Sequence, residues 1–176
     1  LVDLKRDASK LRKATLCHYI KGGQVLLAMK KRGFGVGRWN GVGGKVADGE
    51  SIEDAAIRET KEEIGIIIKS FRKVAVMDFY FQNNSDWDQR VSLFLIDDSV
   101  GEPKETDEMK PQWFAIDEIP YEQMWPSDKI WLPKALSGEH FKASFLLDDK
   151  GEVIDEMFNE IKNFDSDIKE RTPKNI

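Results

Sequence analysis

The sequence holds a single cysteine, Cys17, which rules out an internal disulfide and a paired-thiol metal clip. Its neighbours Ala14, Leu16, Tyr19 and Ile20 are apolar or aromatic. Free cysteines of that kind belong in interiors, so Cys17 is expected to be a buried structural thiol. No stretch approaches the roughly 18 apolar residues that a membrane span needs. The opening segment LVDLKRDASKLRK is charged and lacks the apolar core of a secretory signal, so a cytoplasmic protein is expected. Basic residues are not in excess either: 27 Lys and Arg against 32 Asp and Glu give a net charge of −5. That balance argues against a groove for a nucleic-acid polymer. It leaves room for a small anionic ligand, because carboxylates gathered around a divalent cation turn a negative site into a phosphate-binding one. Internal repeats, low-complexity blocks, coiled-coil patterns and long apolar patches are also missing, and a monomer is expected.

What is present fits one folded domain. The chain has 176 residues, 40% of them hydrophobic and 34% charged, with five Trp and ten Phe. Residues 14–30 read as two strands joined through Lys21-Gly22-Gly23-Gln24, a hairpin signal. The basic, glycine-punctuated stretch KRGFGVGRWNGVGG follows and reads as loop. Residues 51–65 form a helix with marked ends: Ser51 as N-cap, Asp54 answering it from the first turn, Gly65 as the stop. Residues 71–81 and 90–96 are rich in β-branched and aromatic residues and read as strands around the polar turn QNNSDWD, with 112–116 as a further short strand. Pro120, Pro126 and Pro133 break up the next region, where one or two short helices are expected. Residues 141–147 and 153–158 suit a late hairpin around Asp148-Asp149-Lys150-Gly151. Met157, Phe158, Ile161 and Phe164 also have helical spacing, so the second half is equally open to a helix. Residues 1–13 read as an N-terminal extension and 14–158 as the domain. Residues 159–176 read as a C-terminal tail, helical at its start and frayed from Asp165. Strands and helices interleave without regular βαβ alternation, which makes the class mixed α/β.

Within the helix, Glu59, Glu62 and Glu63 stand at i, i+3 and i+4 and share one face. Like charges so spaced repel, and crowded carboxylates raise one another's pKa. An all-oxygen set with no His or Cys beside it suits a hard cation, Mg²⁺ first and Mn²⁺ next. Acidic helix faces are also commonly just solvated, and the three residues alone do not separate the two readings.

The surrounding residues do. Gly44, Glu50, Arg58, Glu59, Glu62, Glu63, Gly65 and Ile66 resemble the signature of the Nudix hydrolases, Gly-x5-Glu-x7-Arg-Glu-U-x-Glu-Glu-x-Gly-U with U aliphatic. Thr60 departs from the first U position, on a packing face. The resemblance implies an α/β/α sandwich with a mixed β-sheet, and hydrolysis of a nucleoside diphosphate linked to another group. It implies that Glu59, Glu62 and Glu63, with the carbonyl of Gly44, hold divalent metal, that Arg58 orients a carboxylate, and that Glu59 or Glu63 serves as general base. MKKRGFGVGRWNGVGGKVADGE, DEMKPQWF and MWPSDKIWLP resemble the branch that hydrolyses oxidised purine nucleoside triphosphates such as 8-oxo-dGTP. That likeness implies Asn40 on the purine edge, Trp125 stacking on the base and Asp128 on its Watson–Crick face. It implies Thr15, Lys30, Phe34, Phe79, Phe81, Met109 and Trp131 as pocket walls, and Glu108 as a further acidic metal-site residue.

Each of these residues has an ordinary structural role open to it: Trp125, Phe79 and Phe81 as core, Asn40 as a turn cap, Glu108 as a solvated loop acid. Their appearance together and in order favours the site. Two departures bear on substrate. Ser127 precedes Asp128 where eukaryotic members of the branch carry two adjacent aspartates, and the loop between Phe81 and Val91 is one residue longer. A Nudix pyrophosphatase for a dinucleotide or nucleotide sugar, and a non-catalytic nucleotide sensor, are the alternative readings.

Overall fold

In the computed structural model, which describes residues 6–164, the chain starts as a hairpin. Strand β1 (Arg12–Lys21) turns into β2 (Gln24–Lys30) through Gly22 and Gly23, both at positive φ (58° and 76°) as a two-residue hairpin turn requires. The two strands then part. Their pairing is confined to residues 19–21 against 24–26, and beyond it β6 (Met109–Ala115) follows one edge of β2 along its full length. The wedge opened between β1 and β2 is filled by β3 (Trp39–Asn40), which pairs with Ala28 and Met29, and by residues 41–45, which bridge back to β1 at Cys17 and Ala14.

The remaining strands are β4 (Ile67–Phe81), β5 (Gln89–Val100), β7 (His140–Leu147) and β8 (Val153–Ile161). They complete a sheet of order β3-β2-β1-β5-β4-β7-β8. The β1–β5 and β4–β7 pairs are parallel and the others antiparallel, so the sheet is mixed.

Two helices cover its faces: α1 (Ile52–Ile64) and α2 (Asp128–Leu136). Side chains alternate across a strand, and the alternation splits the interior in two. Along β5, Val91, Leu93 and Leu95 join the core that contains Trp131, Leu132 and Ala135 of α2. Phe94 and Ile96 join the one that contains Ala56 and Ile64 of α1. With both faces covered, residues 91–96 read as a nearly unbroken apolar run. The layering is the expected α/β/α sandwich. Cys17 lies in the second core, and burial pushes its thiol up to about 12.

Three expectations need correction. Pro133 lies inside α2; the helix gives up the bond that its nitrogen would have donated one turn back, and burial of Trp131, Leu132 and Ala135 offsets the loss. The tail has no helical start, because β8 runs to Ile161 and pairs with β7 from Leu147 back to His140. The strand candidate at residues 112–116 begins earlier, at Met109. The segment from Asp165 lies outside the described residues.

Candidate active site

Helix α1 is built as its end signals predict. The Ser51 hydroxyl accepts from the backbone N–H of Asp54 at 3.0 Å, and Gly65 closes the helix in the left-handed region (φ 78°), donating to the carbonyl of Lys61. Its buried face carries Ala55, Ala56, Thr60 and Ile64, and among them Glu63. A carboxylate with 6% exposure needs a partner, and the backbone N–H of Gly43 donates to its Oε2 at 2.9 Å.

The other two glutamates differ. Glu59 is largely covered, its carboxyl group lying directly against Gly44, whereas Glu62 is exposed. Arg58 organises both. Its Nη1 reaches Glu59 at 2.7 Å and Glu62 at 3.2 Å, while Nε and Nη2 grip the two oxygens of Glu50 at 2.8 and 2.9 Å. The Arg58 grip, helped by a bond from the N–H of Ala47, lowers the Glu50 carboxyl to about 2.

Among the described residues no three His, Cys, Asp or Glu side chains converge as a finished metal cage. The donor chemistry nevertheless fits a hard divalent ion. Burial pushes Glu63 up to about 7, helped by the charges of Glu59 and Glu108 and opposed by Gly43 N–H and Lys30. A cation between Glu59 and Glu63 would relieve that penalty, and both residues offer carboxylate oxygens to it. The carbonyl of Gly44 accepts from the N–H of Thr15 at 2.8 Å and, at 3.5 Å, from the Thr15 hydroxyl, a long bond that a cation could displace. Glu108 is engaged on the surface by Arg32 at 2.6 Å.

A cleft runs from this cluster into the α2 face, where β1 and β2 diverge. Gly43 and Gly44 border it, as do Thr15 of β1 and Lys30 of β2. Phe79 and Phe81 of β4, together with Met109, supply apolar wall. Asn40, Ser127, Asp128, Trp125, Phe34 and Trp131 also line it, so every pocket residue expected from sequence borders one cavity.

Local contacts refine that picture. Asn40 Oδ1 accepts from the N–H of Gly41 at 2.8 Å, the turn-capping role foreseen for it, while the residue still borders the cleft. Trp125 is held by Phe34, stacked at 5.1 Å, and by the Arg38 guanidinium, 4.4 Å from its ring centroid. Arg38 also donates to the carbonyl of Met124 at 2.8 Å. Asp128 is 3% exposed; burial pushes it up to about 7, against the bond it accepts from Trp125 N–H (3.2 Å) and the charge of Arg38. Ser127 is buried beside it and makes no side-chain cap to α2.

Arg38 and Gln89 also border the cleft: Arg38 carried no expectation, Gln89 falls in the lengthened 82–90 stretch to which no base contact was assigned, and Glu50 had a place in the signature but no role. Arg38 sat in view between Gly37 and Trp39, but nothing local announced its stacking on a ring 87 residues away.

Known proteins resemble this chain in sequence and fold. The family described as the NUDIX domain matches residues 10–135. The oxidized purine nucleoside triphosphate hydrolase of Danio rerio is 42% identical over 149 residues, 85% of this chain and 95% of that protein. The Mus musculus protein of the same name is 41% identical over 150 residues, 85% and 96% of the two chains. Among solved structures, the MutT protein from Bacillus halodurans superposes with a TM-score of 0.73 at 25% identity, covering 85% of this chain and 98% of its own. On these matches the chain belongs to the Nudix family, whose hydrolases generally use divalent metal ions.

Proposed function

We propose that the protein hydrolyses oxidised purine nucleoside triphosphates, 8-oxo-dGTP or a close relative, to the monophosphate and pyrophosphate, and so cleanses the nucleotide pool. The observation that carries this reading is the junction at Gly44, where an aromatic cleft with polar groups at its walls meets the carboxylates of α1. The similarity to the fish and mouse oxidized purine nucleoside triphosphate hydrolases supports the substrate class.

In this reading Glu59, Glu62 and Glu63, with the Gly44 carbonyl and Glu108, hold Mg²⁺, with Mn²⁺ as substitute. When bound, the cation neutralises phosphate charge and lowers the pKa of water. Arg58 keeps Glu59 and Glu62 aimed, itself fixed by Glu50. Glu59 and Glu63 are the two groups placed to take the proton from the attacking water. Lys30 borders the cleft near Glu63 and offers positive charge to the phosphates.

The base is held by different means. Trp125, propped by Phe34 and Arg38, is the aromatic wall on which it stacks. Asn40, Ser127 and Asp128 read its edge, and Thr15, Phe79, Phe81, Met109 and Trp131 shape the walls. A flat base is selected in such a site because a wrong edge leaves buried polar groups unpaired. The protein works as a cytoplasmic monomer on a small nucleotide.

The test pairs wild type with Glu62→Gln in Mg²⁺. Pyrophosphate release should fall at least about a hundredfold while binding of the product 8-oxo-dGMP persists. Undiminished turnover in the variant would overturn the metal-site assignment, and a wild type that binds without turnover would be a sensor.

A further inference from the structure

Phe34 sits on the rim of the cleft and is 54% exposed. It belongs to the irregular, glycine-punctuated segment between β2 and β3, where a lone exposed ring has many positions open to it. Two tryptophans restrict it. Trp125 stacks on one side at 5.1 Å and 25°, and Trp87 meets it at 5.3 Å and 52°. Trp87 does not border the cavity; it abuts the buried Phe81 edge-on at 5.5 Å, and both rings that it touches, Phe34 and Phe81, line the cleft.

The loop that carries Trp87 is tied down from far away in sequence. Arg6 Nη1 donates to both oxygens of Asp88, at 2.9 and 2.8 Å, and to the carbonyl of Phe81 at 2.7 Å, while Nη2 donates to the carbonyl of Gln82 at 3.0 Å. Asp88 is buried and also accepts from the N–H of Phe81 at 2.8 Å. Arg12 adds a bond to the carbonyl of Asp86 at 3.1 Å. One guanidinium therefore spans both ends of the 82–88 loop, in the fork geometry that a lysine does not reproduce. Arg6 lies outside the region that matches the NUDIX domain, residues 10–135.

We propose that Arg6 and Trp87 form a brace that fixes Phe34 at the mouth of the cleft and thereby sets affinity for the base. Both are positioning residues that act through Phe34. A rim ordered before the ligand arrives spares binding the entropy of ordering it, so the effect falls on affinity. The proposal rests on the nucleotide reading of the cleft.

The test titrates 8-oxo-dGMP into the full-length wild type, Trp87→Ala, Arg6→Met and the double variant by calorimetry, with KM and kcat measured for 8-oxo-dGTP. Trp87→Ala should weaken binding by about tenfold, on the scale of an aromatic contact. Arg6→Met should weaken it by about threefold, with Arg6→Lys recovering only part. The double variant should bind no worse than Trp87→Ala alone, because Arg6 acts through Trp87. KM should rise more than kcat falls, and Trp87→Phe, which keeps a ring, should retain most of the affinity.

Wild-type affinity in Trp87→Ala would overturn the brace, as would two losses that multiply in the double variant. A wild type that binds no purine monophosphate would remove the nucleotide reading and the brace with it. A wild type that binds while Trp87→Ala binds equally well would overturn the brace alone.

Discussion

Gly44 and Glu59 are packed so closely that a Cβ on the glycine would lie 2.5 Å from the carboxyl carbon of Glu59 and 2.6 and 2.7 Å from its two oxygens. The obstacle is the far end of a side chain, so the fold can absorb an added methyl while the carboxylate cannot keep its place. If Glu59 acts as proposed, Gly44→Ala should therefore leave the melting temperature nearly unchanged and lower turnover about a hundredfold, as expected when a group in the reacting site shifts by about an ångström. A parallel loss of stability and activity would show instead that Gly44 serves the backbone.

Asp128 supplies a pH signature. Its folded pKa of about 7 stands above the ordinary aspartate value of 3.8 because burial disfavours the charged form. Between those values the folded state binds the extra proton. The stabilisation is thus complete below about pH 4 and is lost as the pH rises through 7. Asp128→Asn removes the titrating group, so relative to wild type the variant should gain melting temperature between pH 5 and pH 8. A constant difference across that range would contradict the burial argument.

Much of α1 was legible because its information is local: Ser51 and Gly65 mark the ends, and the three glutamates stand close together, although packing buries Glu63, covers Glu59 and leaves Glu62 exposed. The β1–β2 hairpin was legible through Gly22-Gly23 for the same reason. Strand order was not, since the parallel β1–β5 pair joins Arg12 to Gln89 and nothing near either residue encodes the other. The ambiguity over β8 has a physical source. On this edge strand Ile154 and Met157 remain about half exposed, so its apolar residues keep no strict period, and pairing with β7 decides its conformation. In the cleft, the aromatic walls were legible only through the family resemblance, since Trp125, Phe79 and Phe81 taken singly read as core. The burial of Glu63 and the brace from Arg6 are products of tertiary packing.

In the proposed reading, Ser127 and Asp128, which both border the cleft, together set the base-edge chemistry. Serine donates and accepts but carries no charge. A second carboxylate beside the buried Asp128 would share a proton with it and present donor and acceptor together. Ser127→Asp should consequently change the ratio of turnover on 8-oxo-dGTP to that on 2-hydroxy-dATP by at least about threefold, on the scale of one altered hydrogen bond. Equal ratios in the two proteins would sink the idea that residue 127 reads the base.

Pyrophosphate release from 8-oxo-dGTP and from unmodified dGTP, each with and without Mg²⁺, bears most directly on what the protein does. Turnover should require the metal, with kcat/KM at least about tenfold higher for the oxidised nucleotide, only ~1.4 kcal/mol of discrimination by the cleft. Metal-dependent turnover at equal efficiency on both nucleotides would contradict the assignment of oxidised purines as substrate and leave the hydrolase chemistry standing.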